Sequence, residues 1–247
     1  MDARGALART PGGARGAVTS TVASIAGLRT LVVSGSDAPR LVVVVLHGYA
    51  MRPEDLAPFA ASIGVPASFY LPEAPLEAEP SGRAWWPIDQ ERRSRAMAHG
   101  SRDLHGEHPS GAGAARALVM RVLAEVGHRH AGLPLVLVGF SQGGMLACDM
   151  LVRDGPVVAG LALLSASRIS ADEWIPLASR FAGLPILVSH GTDDPDLAFG
   201  AGEALRDLCI SGGGEVVWVP FQGGHEIPMV AWRAIRKFLS RLVGGAG

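Results

Sequence analysis

The chain has 247 residues, 48% hydrophobic and 18% charged, so it can bury a large core and is excluded from the intrinsically disordered class. Its formal net charge is −1, from 22 basic and 23 acidic residues, and it lacks the basic excess expected of a nucleic-acid or anionic-membrane binder. Two cysteines, Cys148 and Cys209, are too few for a disulfide framework and too widely spaced for a zinc site, so they read as free thiols in a reducing compartment.

Residues 1–20 are rich in Ala, Gly and Arg and hold no continuous apolar stretch. They are expected to form a disordered tail rather than a secretory signal, on a cytoplasmic protein. No apolar run reaches the ~18 residues that a membrane span needs. Leu41–Leu46 is the clearest strand, and its unbroken apolar run suits a parallel sheet buried on both faces. Pro53–Ser62 reads as a short helix with proline in its first turn, and Ser68–Leu71 as a second core strand. Residues 72–110 carry several Pro and Gly and a cluster of charges, and read as a long, lid-like loop. Gly113–Val126 has a helical apolar face, and Leu135–Val138 is a third core strand. A helix over Gln142–Arg153 follows. Further strands are expected at Val158–Leu164, Ile186–Ser189 and Val216–Val219, with helices near 172–181, 198–210 and 228–242. This alternation predicts one α/β domain over residues 21–247, a mostly parallel central sheet with helices on both faces.

The sharpest motif is Gly139-Phe140-Ser141-Gln142-Gly143. It lies between a strand and a helix, the setting of a nucleophile elbow, where Ser141 projects from the carboxyl end of the sheet. A serine needs a base to take its proton and an acid to orient that base. In such sheets these follow in the order acid, then base, each after a later strand. His225, in Gly223-Gly224-His225, is the candidate base. Three aspartates of His190-Gly191-Thr192-Asp193-Asp194-Pro195-Asp196 compete as the acid. Asp194 is favoured by its spacing from the strand, with Asp193 and Asp196 read as solvated loop charges. The oxyanion of a tetrahedral intermediate needs preorganised N–H donors. The amide of Gln142 is one candidate, and the amide of Tyr49, in Leu46-His47-Gly48-Tyr49, is the other.

Together Leu46-His47-Gly48, Gly139-Phe140-Ser141-Gln142-Gly143-Gly144-Met145, His190-Gly191-Thr192-Asp193-Asp194-Pro195 and Gly223-Gly224-His225-Glu226-Ile227 resemble the phospholipase/carboxylesterase family of α/β-hydrolases. The resemblance runs over about residues 25–243. It implies an α/β-hydrolase fold, a Ser141–Asp194–His225 triad, an oxyanion hole from the amides of Tyr49 and Gln142, and no cofactor. Gly82–Pro87 resembles the family's segment beside the active site. Met51, Trp85 and Trp86 are therefore candidate substrate-binding residues, although one tryptophan could equally be core. There are departures. Ala50 and Met51 stand where members often carry a glycine and a small or polar residue. Asp196-Leu197-Ala198 replaces an apolar pair and a proline. The segment 88–110, with Arg92, Arg93, Arg95, His99, Arg102, His105 and His108, is longer and more basic than usual. His105 with His108, and His128 with His130, lack the converging ligands of a metal site, so no metal is expected.

The expected activity is a carboxylesterase acting on short to medium acyl chains through an acyl-serine. The alternatives are an acyl thioesterase or lysophospholipase with the same residues, or a catalytically silent ligand-binding relative. The expected partner is a small-molecule ester or thioester, with neither nucleic acid nor integral membrane contact. Whether the chain forms a homodimer is left open.

Overall fold

The computed structural model describes residues 18–244. It begins with an antiparallel hairpin, β1 (Thr19–Ile25) and β2 (Leu28–Ser34). Thr19 and Ser20 therefore belong to an edge strand and not to the expected tail; residues 1–17 of that tail lie outside the described residues. Neither strand was expected from the sequence. β1 is largely exposed, so it carries no continuous apolar run of the kind that marks the central strands.

The other elements follow the expected alternation. They are β3 (Leu41–Leu46), α1 (Pro53–Ser62), β4 (Ala67–Pro72), β5 (Leu76–Glu77), β6 (Arg83–Ala84), α2 (Gln90–Met97), α3 (Ala112–Arg129), β7 (Leu135–Phe140), α4 (Gln142–Asp154), β8 (Gly160–Leu164), α5 (Ala171–Trp174), β9 (Pro185–Gly191), α6 (Phe199–Ser211), β10 (Glu215–Phe221) and α7 (Met229–Gly244). Two expectations need correction. The helix near 172–181 is one α-helical turn followed by a 3-10 stretch, Ile175–Phe181. Pro176 has no N–H to continue the α-helical ladder, which accounts for the change. Residues 72–110 are not a structureless loop. They contain the β5–β6 hairpin and α2, which is capped by Asp89 accepting from the N–H of Arg92 at 2.9 Å.

Eight strands form one sheet in the order β1-β2-β4-β3-β7-β8-β9-β10, and from β4 to β10 every pair is parallel. Side chains of β3 alternate between its two faces. Val42, Val44 and Leu46 pack with α3, α4 and α6 on one face. Leu41, Val43 and Val45 pack with α1 and α7 on the other. The expected α/β-hydrolase architecture, a mostly parallel sheet between two helical layers, is what the chain adopts. The chain runs from β3 outward to β4 and later resumes at β7 on the opposite side of β3. That reversal opens a crevice at the carboxyl ends of β3 and β7, the usual place for a ligand in such sheets. Among the described residues, no helix is long and apolar enough to cross a membrane.

Candidate active site

Ser141 stands between β7 and α4 at φ 52° and ψ −118°, a conformation sparsely populated by L-residues. It is held there from both sides. Its N–H donates to the carbonyl of Leu164 at 2.8 Å, and its carbonyl accepts from Met145 at 3.0 Å. The elbow also lies hard against the end of β3, where a Cβ on residue 143 would overlap the carbonyl oxygens of Leu46 and His47. Only glycine fits that approach, which sets Ser141 beside the loop that follows β3.

His225 lies in the loop after β10, and Asp194 in the loop after β9. These loops are joined closely. Thr192 N–H donates to Phe221 O at 2.8 Å and Asp193 N–H to Gly223 O at 3.0 Å. A Cβ on Gly191 would strike the carbonyls of Gly223 and Gly224. The result is a continuous chain of three side chains. Ser141 Oγ is 2.8 Å from His225 Nε2, and His225 Nδ1 is 2.6 Å from Asp194 Oδ2. The other Asp194 oxygen accepts from the N–H groups of Asp196 and Leu197, each at 2.9 Å. Burial alone would raise the Asp194 carboxyl. The His225 hydrogen bond and charge, with these two amides, outweigh burial and hold it below the ordinary carboxylate range. Asp194 is thus placed as an ionised acceptor for the Nδ1 side of His225, whose other ring nitrogen faces the Ser141 hydroxyl.

His190 lies behind the acid, fully buried, with Nε2 at 3.5 Å from Asp194 Oδ2 and donating to Leu197 O at 3.0 Å. Burial lowers its basicity and favours the neutral ring. Asp193 is exposed, as expected of a solvated loop charge. Asp196 is not: it is buried and ion-paired to Arg93 and Arg102.

The loop after β3 is aimed by His47, whose part was not read from the sequence. His47 Nδ1–H donates to the carbonyl of Gly48 at 2.8 Å, and Nε2 accepts from Ala74 N–H at 3.1 Å. Burial keeps this ring neutral. A trans peptide points its N–H opposite to its C=O, so the Gly48 carbonyl held by His47 turns the Tyr49 N–H away from the imidazole. Neither the Tyr49 nor the Gln142 amide donates to a protein acceptor among the described residues. Ala50 adopts φ 61°, the left-handed region that favours glycine. The Gln142 side chain accepts from Trp85 N–H at 2.9 Å and donates to Trp86 O at 3.0 Å, clamping residues 85–86 onto the elbow.

A cleft of about 1220 Å³ opens over Ser141. Met51 and Trp86 line it, as expected, but Trp85 does not. Trp85 is core: its Nε1 donates to His47 O at 2.9 Å and its ring lies 5.3 Å from the imidazole. One wall of the cleft is apolar, with Met51, Leu56, Phe59, Ile227 and Trp232. The facing segment is charged, but its arginines are paired, Arg92 with Glu107 and Arg93 and Arg102 with Asp196. His108 meets Asp172 and Glu173 at 3.3 and 3.1 Å, so the structure groups it with two exposed carboxylates whose ligand atoms lie within 4.8 Å of one another, rather than with His105.

A sequence model of the phospholipase/carboxylesterase family matches residues 119–243. The carboxylesterase SOBER1 of Arabidopsis thaliana is 29% identical over 119 residues, 44% of this chain and 49% of that protein, so the chain spans about half the length of the curated relative it matches. Among solved structures, esterase PE8 is similar with a TM-score of 0.69 at 23% identity, over 91% of this chain and 99% of that one. Acyl-protein thioesterase 2 of Zea mays has a TM-score of 0.69 at 21% identity, over 87% of this chain and 99% of that one.

Proposed function

Because the chain belongs to the phospholipase/carboxylesterase family of α/β-hydrolases, we propose that it hydrolyses carboxylic esters of short to medium acyl chain through an acyl-serine intermediate. The observation that carries this reading is the unbroken Ser141–His225–Asp194 chain at 2.8 and 2.6 Å on the floor of a partly apolar cleft. Ser141 Oγ gives its proton to His225 Nε2 and attacks the ester carbonyl. Asp194 accepts from Nδ1–H and stabilises the imidazolium. The amides of Tyr49 and Gln142 receive the oxyanion. The tetrahedral intermediate collapses as His225 returns the proton to the departing alcohol. Water, deprotonated by His225, then releases the acid and restores the serine.

The acyl group is taken to lie against Met51, Leu56, Phe59, Ile227 and Trp232, where burial of its methylenes is favourable. A cavity of about 1220 Å³ also favours a second reading with the same residues, an acyl thioesterase or lysophospholipase taking longer chains. Initial rates on p-nitrophenyl esters of rising acyl length, with Ser141→Ala as the blank, separate the two. Rates that peak at short to medium length support the carboxylesterase. A peak at long chains supports the second reading, with thioester and lysophospholipid substrates to follow. Failure of Ser141 to react with a fluorophosphonate would leave only a silent ligand-binding role.

A further inference from the structure

Asp196, two residues beyond the acid, is 7% exposed and bound on every side. Its Oδ2 accepts from Arg93 Nη2 at 2.5 Å, and its Oδ1 accepts from Arg102 Nε at 3.1 Å and from Arg102 Nη2. Its backbone adds a contact to Asp194 and a second one to Arg102. The N–H donates to Asp194 Oδ1 at 2.9 Å, and the carbonyl accepts from Arg102 N–H at 2.9 Å. Ala198 N–H donates to Arg102 O at 2.8 Å, completing a short parallel bridge between the two segments. Burial would raise the Asp196 carboxyl, but hydrogen bonds and charge from the two arginines outweigh it and hold the group ionised.

Arg93 belongs to α2, 103 residues earlier in the chain. Its guanidinium also lies 5.8 Å above the ring of Tyr49, within cation–π range. One side chain from the segment beside the cleft thus touches both the loop that offers the Tyr49 amide and the loop that holds Asp194. A carboxylate this buried, shared by two guanidiniums, has one well-defined seat. An apolar residue at 196 could pack there but could not hold both arginines.

We propose that Asp196 is a positioning residue that seats Arg93 and Arg102 on the acid loop, so that alignment of Asp194 depends on docking of the 88–110 segment. The proposal rests on the serine-hydrolase reading for its effect on rate, but not for its effect on the His225–Asp194 hydrogen bond. Both are measured on the full chain. Asp196→Asn keeps the backbone donor and the side-chain volume. Arg93→Met keeps an apolar stem near Tyr49 and removes the ion pair. The first readout is kcat and KM on the p-nitrophenyl ester cleaved best. The second is the far-downfield proton resonance of His225 Nδ1–H, recorded without substrate.

Each variant should lower kcat about tenfold or more, with KM changed by less than about threefold. The Nδ1–H resonance should shift or broaden in both. The double variant should be no worse than about the more damaging single, because both break one unit. An unchanged resonance in the folded variants overturns the proposal, whatever the rates do. A wild type without serine-dependent hydrolysis overturns the reading of function and leaves the resonance to decide this one. Should Asp196→Asn fail to fold, Arg93→Met decides it, since Arg93 touches no amide of the acid loop.

Discussion

Asp193 and Asp194 are neighbours in the chain with opposite surroundings. Asp194 is buried, takes two backbone amides on one oxygen and accepts from His225 on the other. Asp193 is exposed, and among the described residues its carboxylate accepts a hydrogen bond only from the hydroxyl of Thr192, at 3.1 Å. Asp194→Asn should lower kcat by about 10³–10⁴-fold, because an amide at Oδ2 no longer fixes the tautomer that leaves Nε2 free. Asp193→Asn should change it by less than about threefold, as surface substitutions do. Steady-state kinetics on the two purified variants checks this, and the reverse ranking would mean that Asp193 is the acid. The motif spacing singled out Asp194. The parts played by His47, Asp196 and the Gln142 side chain were not legible. Their partners lie 27, 103 and 57 residues away, and no local pattern marks such a pairing. The only signal for Asp196 was its departure from the family pattern, together with an unusually basic segment.

At the scale of elements, the elbow depends on how closely α4 approaches β3. Gly143→Ala places a methyl group against the carbonyls of Leu46 and His47, where the backbone must move to admit it. The expected cost is about 1–3 kcal/mol of stability, together with displacement of Ser141. Gly127 is the control: it lies within α3, and a methyl group there would meet nothing within 4 Å. Alanine at 127 should be neutral or stabilising by about 0.5–1 kcal/mol. Thermal melting and fluorophosphonate labelling of both variants check the pair. A Gly143→Ala protein that melts and labels like wild type would refute the account of the elbow. The central strands were legible because their apolar runs are continuous. β1 and β2 were not, since a half-exposed antiparallel hairpin at a sheet edge carries only weak alternation.

For the whole molecule, buried ionised carboxylates couple the fold to pH. Asp194 and Asp196 both titrate below their ordinary range in the folded chain. A depressed carboxyl stabilises the fold at every pH above its unfolded value. That contribution is lost as pH falls through the folded value. The melting temperature should therefore be insensitive to these groups above about pH 4–5 and fall steeply below about pH 4. Asp196→Asn should show a shallower acid limb. Melting curves between neutral and acid pH check this, and equal acid slopes in the two proteins would refute it.

The sequence by itself determined the alternation of the central strands with their helices, the elbow and the candidate serine, acid and base. Each of these is set by neighbours within a few residues: an apolar run, a glycine where a Cβ would clash, a turn after a strand end. Tertiary structure alone decided which tryptophan faces the cleft, how His47 turns the Gly48 carbonyl, and that residues 88–110 dock through Asp196. Those outcomes depend on contacts between segments far apart in the chain. Whether a buried charge or an aromatic ring becomes core, lining or anchor is settled by what folding places opposite it, and local residue order carries no record of that.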